Sequence, residues 1–450
     1  MPTIDRHYIN GSWTAPAATH QPITNPATGD TTGTLGLGTA EDVDLAVAAA
    51  RTAFASWSQT TAAERAAAAI TSDMGMPIDF ARLTVGAGIS QFTYYADLIE
   101  TYAFTGSVGT TQVVKEPIGV CGLIPPWNYP GLQSAEKVAP ALAAGSTVIL
   151  KPGTPYAGRV LAEILDEAGV PAGVFNLVNG RGSSVGTALS RHPDVDMIAF
   201  TGSTGVGIQV QKAAAETVKR VSLELGGKSA HIVLPDAELA HAAQDAVSRV
   251  MSNSGQTCAA PTRTLVPAAH YEEFTAHVRA AVGQLTIGDP TTSVDLGSVA
   301  NEAQWHTVQR YIEIGLAEGA TLAAGGPGRP DGLDRGWFAR PTVFSEVTNE
   351  MTIAREEIFG PIMCLIRYDT LDDAIAIAND SPYGLAAYIA GTDPGTIAYA
   401  AGRLRAGQVI INDAYPDLQA PFGGYKQSGN GRIWGTAGLE EYLETKAIVR

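Results

Sequence analysis

Three cysteines in 450 residues cannot form a disulfide framework, and a chain this poor in thiols suits a reducing compartment such as the cytoplasm. No CxxC, HExxH or paired-His spacing occurs among the 8 histidines, which argues against a structural or catalytic zinc. No apolar run approaches the roughly 20 residues needed to cross a bilayer. The N-terminal stretch "MPTIDRHYINGSW" has neither the basic segment nor the apolar core of a secretory signal. Long basic runs are missing too, and the net charge is −16, which disfavours nucleic acid or an anionic membrane as a partner. Internal repeats and low-complexity linkers are absent.

What is present is globular. Hydrophobic residues make up 45% and charged residues 16%, and the length calls for two or three domains. The 49 glycines point to many tight turns and close backbone approaches. "YINGSW" and "ITNPATGDTTG" read as short strands joined by turns. A helix follows, with Thr39 as its cap and Asp42 three residues on. Its apolar stripe is Val43, Val47, Ala50, Phe54 and Trp57.

From about Val113 a strand–helix rhythm begins: "IGVCGLI", "QSAEKVAPALAAG", "STVILKP", "PYAGRVLAEILDEAG", "GVFNLVNG", "SSVGTALSRH", "VDMIAFTGS" and "TGVGIQVQKAAAE". Such alternation builds a parallel sheet with helices on both faces. A second α/β series runs from about Ala230 to Asn412. The chain ends in a short helix and a strand, "GLEEYLETKAIVR", that needs a pairing partner, another subunit being one candidate.

Several stretches carry chemistry. "FTGSTGVG" follows a strand and opens a helix, as a phosphate-binding turn would, but its glycine spacing is not GxGxxG. It reads equally as a packing turn. "ELGGKS" ends a strand on Glu224, and alone it reads as a solvated turn. "PPWNYP" stiffens the chain around Trp127 and Asn128 with three prolines, and a rigidly held Asn amide can serve an oxyanion. Cys121 and Cys364 lie in apolar strands and read as inert fillers. Cys258 differs: Asn253, Ser254, Gln256 and Thr257 surround it with polar groups at the mouth of a loop. That setting suits a partly exposed, activatable thiolate as well as a bland loop cysteine.

Together the motifs are far more specific. "PWN", "LKP", "FTGST", "ELGGKS", "GQTC", "EEIFGP" and "PFGGYKQSGNGR", in that order, resemble the aldehyde dehydrogenase superfamily over nearly the whole chain. The resemblance implies an α/β chain with a Rossmann-like cofactor domain from residues 1–98 and 118–226. It further implies an α/β catalytic domain of 227–421 and a small β element for oligomerisation from 99–117 and 422–450. It implies NAD- or NADP-dependent oxidation of an aldehyde, a small-molecule substrate, in a homodimer or homotetramer. By that match Cys258 is the nucleophile, Asn128 the oxyanion donor and Glu224 the general base for thioester hydrolysis. Lys151 contacts the adenosine ribose, and Ser203 beside Gly202 meets the pyrophosphate. Glu357 holds the nicotinamide ribose and Phe359 lies against the nicotinamide. Trp127, Gly182, Thr201 and Leu225 line the same cleft. Tyr129, Glu136 and "NDAYPDLQAPF" shape the substrate pocket. A relative that passes the acyl group to coenzyme A is the alternative enzyme, which Glu224 argues against. A catalytically silent homologue is the other alternative, which the joint presence of Cys258, Glu224 and Asn128 argues against.

Two departures stand out. Family members carry a long helix after the Glu64-Arg65 pair, whereas here "AAAAITSD" leads almost directly to Met74-Gly75-Met76-Pro77, so a helical stretch is expected to be missing. "LKPGTP" is also short, with no acid between Lys151 and Tyr156 to exclude the extra phosphate of NADP.

Overall fold

The computed structural model describes residues 3–14, 20–57 and 78–450. The segment after Glu64-Arg65, where a helix was expected to be missing, lies outside the described residues. Two seven-stranded sheets carry the fold, with two three-stranded sheets beside them.

The first large sheet runs in the order Arg220–Glu224, Met197–Thr201, Val120–Ile124, Thr147–Leu150, Phe175–Leu177, His7–Ile9, Ser12–Thr14. Its first five strands are mutually parallel. Numbered along the chain they stand in the order 3-2-1-4-5, the order of a dinucleotide-binding sheet. The strands are short, apolar and buried because helices cover both faces. His7–Ile9 and Ser12–Thr14 extend this sheet antiparallel at its far edge.

The helix Ala40–Trp57 starts as the sequence indicates. Thr39 Oγ1 accepts from the Asp42 backbone N–H at 3.3 Å, and the Asp42 carboxylate accepts from the Thr39 backbone N–H at 2.8 Å, a capping box. Val43, Val47, Ala50 and Trp57 are buried as the stripe requires, while Phe54 is only half-buried. The helix Pro130–Ala144 is buried almost throughout, including Glu136 and Lys137. It closes on Gly145 at φ 93°, a left-handed position suited to glycine.

The second large sheet runs Thr321–Ala324, Thr342–Ser345, Ile362–Tyr368, Arg263–Pro267, Ala230–Val233, Ala386–Ala390, Gln408–Ile411. Only the first of these is antiparallel to its neighbour. Cys121 and Cys364 are fully buried within strands of the two sheets.

The C-terminal strand Leu443–Ile448 is not an orphan within the chain. It pairs antiparallel with Thr111–Pro117, which also pairs with Thr105–Val108. Just before it, Gly429 bridges Glu224, and the Leu225 N–H donates to the Ser428 carbonyl at 2.9 Å. The tail therefore also closes the edge of the first sheet.

Gly153 ties the end of the strand Thr147–Leu150 to the "PPWN" turn. A Cβ there would overlap the Pro126 carbonyl and crowd the Trp127 N–H, both rigid backbone. Gly153→Ala should lower stability by about 1–3 kcal/mol, the usual range for overpacking. Gly283→Ala, with nothing within 4 Å of the added carbon, should leave stability unchanged or raise it slightly. Thermal unfolding of the two variants checks this, and an unchanged midpoint for Gly153→Ala would contradict it.

Candidate active site

In a sheet ordered 3-2-1-4-5, strands 1 and 4 are neighbours whose connections leave toward opposite sides. A crevice opens beyond their C-terminal ends. Here those ends are Ile124, followed by Pro125-Pro126-Trp127-Asn128, and Thr201, followed by Gly202-Ser203. A cavity of about 280 Å³ lies there. It is lined by Trp127, Asn128, Thr201, Gly202, Ser203 and Leu225 from the first sheet's loops. Cys258, Glu357 and Phe359 line it from the second. Nine residues singled out from sequence thus share one cavity.

Ser203 precedes the helix Thr204–Ala214, and its hydroxyl makes no capping bond. The first-turn N–H groups are therefore left for an anionic ligand. Gly207 lets this helix settle on Leu225, whose side chain a Cβ would overlap.

The cysteine loop is bent by three consecutive left-handed residues, Asn253 (φ 51°), Ser254 (φ 56°) and Gly255 (φ 75°). Two of them are not glycine, which is strained backbone held by its surroundings. Gly255 presses on the Gly360 backbone so closely that no Cβ fits between them. The polar neighbours of Cys258 strap the loop. Asn253 Nδ2 donates to the Asn128 carbonyl (2.9 Å) and Ser254 Oγ to the Gly297 carbonyl (3.0 Å). Gln256 Oε1 accepts from the Ala300 N–H (2.8 Å), and Asn128 Nδ2 donates to the Gln256 carbonyl (3.0 Å). Thr257 Oγ1 lies 2.6 Å from the Tyr129 hydroxyl.

These polar groups are consumed by the loop, so they do not stabilise the sulfur. Cys258 is half-buried, and its thiol is pushed up to about 12 by burial, with Glu357, Glu224 and Glu136 adding to the effect. The thiol is thus partly exposed, as the sequence suggested, while burial favours its neutral form.

Glu224 ends its strand fully enclosed, and neither carboxylate oxygen has a hydrogen-bond partner. Burial raises it well above the ordinary carboxylate range, while the Lys137 and Arg432 charges pull it back. Lys137 is lowered by burial and raised by Glu224, Glu136 and Glu441. Glu136 accepts from Trp434 Nε1 at 2.7 Å, and burial pushes it up to about 7. Glu224 does not line the cavity that holds Cys258; it is enclosed behind it, within the influence of the Lys137 and Arg432 charges. Sequence reasoning missed Lys137; the signal was two adjacent charges, Glu136-Lys137, in an otherwise apolar helix. Gln304 and Thr307 also line the cavity unforeseen.

Glu357 accepts from the Gly227 N–H at 3.2 Å, and burial pushes its carboxyl up to about 7. Gly226 lies against it, and a Cβ there would push the carboxylate aside. Phe359 stands edge-on to Trp127, ring centres 5.3 Å apart. Lys151 and Gly182 lie elsewhere. Lys151 lines a second cavity. Gly182 is an exposed residue opening the π-turn Gly182–Gly186 and lines neither cavity. Among the described residues no group of three or more His, Cys, Asp and Glu is placed to hold a metal, and no helix is long and apolar enough to cross a membrane.

The chain matches the Aldehyde dehydrogenase family over residues 13–448. It is 49% identical to a 3-succinoylsemialdehyde-pyridine dehydrogenase of a Pseudomonas species, over 98% of each chain. Among solved structures it resembles a cysteine-to-alanine mutant of aldehyde dehydrogenase C from Pseudomonas syringae, complexed with NAD+ and octanal. That similarity has a TM-score of 0.97 and 49% identity, covering 99% of this chain and 96% of the other. A betaine aldehyde dehydrogenase from Staphylococcus aureus in complex with NAD+ follows at TM-score 0.95 and 37% identity, over 99% and 94%. With this fold, this cavity and these likenesses, the chain belongs to the aldehyde dehydrogenase family.

Proposed function

We propose that the chain oxidises an aldehyde to its carboxylic acid with NAD, using Cys258 as nucleophile, Asn128 as oxyanion donor and Glu224 as general base. The observation that carries this is the convergence of Cys258, Asn128 and Glu357 on one cavity at the switch point of a dinucleotide-binding sheet. Relatives support the substrate class and cofactor: the P. syringae enzyme holds octanal with NAD+, and the S. aureus enzyme holds NAD+.

The residues fit a dinucleotide. An uncapped helix start follows Ser203, Gly202 carries no side chain, and Glu357 offers a carboxylate for ribose hydroxyls. When bound, NAD supplies a hydride acceptor. The chain's own groups do the rest. Cys258 gives its proton to solvent water, and its sulfur adds to the aldehyde carbon. The oxyanion so formed is met by Asn128 Nδ2 and the Cys258 backbone N–H. Loss of hydride from that carbon leaves a thioester on Cys258. Glu224 takes a proton from water, which attacks the thioester and releases the acid and the thiol. A Glu224 raised above the ordinary carboxylate range is a stronger base for that step than a solvated one. Lys137 and Arg432 favour its ionised form.

We further propose that residues 1–98 with 118–226 act as the cofactor domain and 227–421 as the catalytic domain. Residues 99–117 and 422–450 serve assembly of a homo-oligomer, supported by the outer edge of Leu443–Ile448, unpaired among the described residues, and by the exposed side chains of Glu444–Ile448. The three free thiols suit the cytoplasm.

Formation of reduced nicotinamide, followed by its absorbance with an aldehyde and NAD, tests the activity. Cys258→Ala should abolish it and leave NAD binding intact, whereas Cys121→Ala and Cys364→Ala should each cost only about 1 kcal/mol of packing. Substantial turnover by Cys258→Ala would overturn the nucleophile assignment.

The raised thiol makes a second expectation. Because the proton is lost only at high pH, iodoacetamide should label Cys258 of the cofactor-free protein slowly near neutrality. The rate should climb about tenfold per pH unit between roughly pH 7 and 9. Labelling that has already levelled off at neutral pH would show an ionised thiolate instead.

A further inference from the structure

The cavity that holds Cys258 has one polar side chain to which the reaction gives no task. Gln133 lines it together with Asn128 and Cys258. It stands in the first turn of the helix Pro130–Ala144, and its N–H donates to the Tyr129 carbonyl at 2.9 Å. Residues four apart share a helix face. Gln133 therefore lies on the side from which the Tyr129 hydroxyl reaches Thr257 Oγ1, next to Cys258 in the chain. It is half-buried, and its side-chain amide makes no hydrogen bond to a described residue.

Neighbouring polar groups in this wall are committed. Gln304 Nε2 donates to the Ile358 and Phe359 carbonyls, both at 2.9 Å. Thr307 Oγ1 donates to the Ala303 carbonyl at 3.0 Å. The Gln133 amide alone is left to face whatever the aldehyde carries. An alkyl chain lying against it would strip water from the amide and offer no bond in return.

Charge narrows the choice further. Among the described residues that line the cavity none is Lys, Arg or His, and Glu357 is the one carboxylate. Lys137, one turn beyond Gln133, does not line it; it is buried within the field of Glu136, Glu224 and Glu441. A carboxylate on the substrate would lose its water without gaining a cation, close to those acids. An uncharged carbonyl oxygen, by contrast, can accept from the Gln133 N–H groups.

We propose that Gln133 is a specificity-determining residue, and that it selects aldehydes carrying a second, uncharged carbonyl within a few carbons of the first, its amide donating to that oxygen. The short separation follows because Gln133 and Cys258 share one cavity of about 280 Å³. The proposal rests on the oxidation of aldehydes at Cys258.

Steady-state kinetics of the full chain with NAD and three aldehydes of similar length tests it. The three are 4-oxopentanal, pentanal, which lacks the ketone, and 4-oxobutanoate, which carries a carboxylate instead. In kcat/KM the unaltered protein should favour 4-oxopentanal over pentanal by about fivefold or more, and 4-oxobutanoate should fall below pentanal by about tenfold or more. Gln133→Leu should bring the ratio of 4-oxopentanal to pentanal to within about twofold of unity, with the loss carried by KM rather than kcat. Gln133→Met, close to Gln in volume, reads the same ratio in a second variant. A general structural defect would lower both substrates together and keep the ratio, so a ratio that survives in these variants would overturn the role of Gln133. No preference for 4-oxopentanal in the unaltered protein, or a preference for 4-oxobutanoate, would overturn the substrate class alone. If none of the three yields reduced nicotinamide, the aldehyde oxidation on which the proposal rests falls with it.

Discussion

Desolvation governs this site. The thiol of Cys258 and the carboxyls of Glu224 and Glu357 are each pushed toward the neutral form, and in each case burial is the largest cause. Lys137 is pushed the same way from the opposite sign. A cavity that disfavours every resident charge is one in which few charges persist unless paired. Charge that develops on a substrate oxygen then falls on fixed donors rather than on mobile water, where each hydrogen bond counts for more.

Holding such groups close without letting water in demands backbone where side chains would otherwise stand. Gly226 makes room for the Glu357 carboxylate and Gly255 for Gly360, while Gly153 meets the Pro126 carbonyl. The same demand accounts for the left-handed run at Asn253 and Ser254. Strain there is offset by bonds from their side chains to Asn128 and Gly297. The first sheet supplies Asn128, the second supplies Cys258, and the Asn128–Gln256 and Asn253–Asn128 bonds join them directly.

Much of the fold was legible because its elements are locally encoded. The strand–helix alternation from Val113 and the Thr39–Asp42 cap depend on neighbours in sequence, and both stand as read. The pairing of the C-terminal strand with Thr111–Pro117 joins segments over 300 residues apart, which no local pattern carries; only the family resemblance grouped 99–117 with 422–450. The antiparallel extension by His7–Ile9 escaped for the same reason. At the site, ordered motifs pointed to nine residues that do share a cavity. The polar residues beside Cys258 in sequence spend their hydrogen bonds elsewhere. Their side chains tie the loop to Asn128, Gly297, Ala300 and Tyr129 on neighbouring segments. The influence of Lys137 on Glu224 was missed because the two belong to different motifs, far apart in sequence.

The central claim is that the acyl group passes through Cys258 and leaves by water that Glu224 activates. Glu224→Gln removes the base without emptying its place, so the two halves of the reaction should separate. Mixed rapidly with NAD and an aldehyde, this variant should form about one equivalent of reduced cofactor per site and then stall. Acid-quenched digests should carry the acyl mass on the Cys258 peptide. An undiminished steady rate, or an acyl mass found elsewhere or nowhere, would contradict the account.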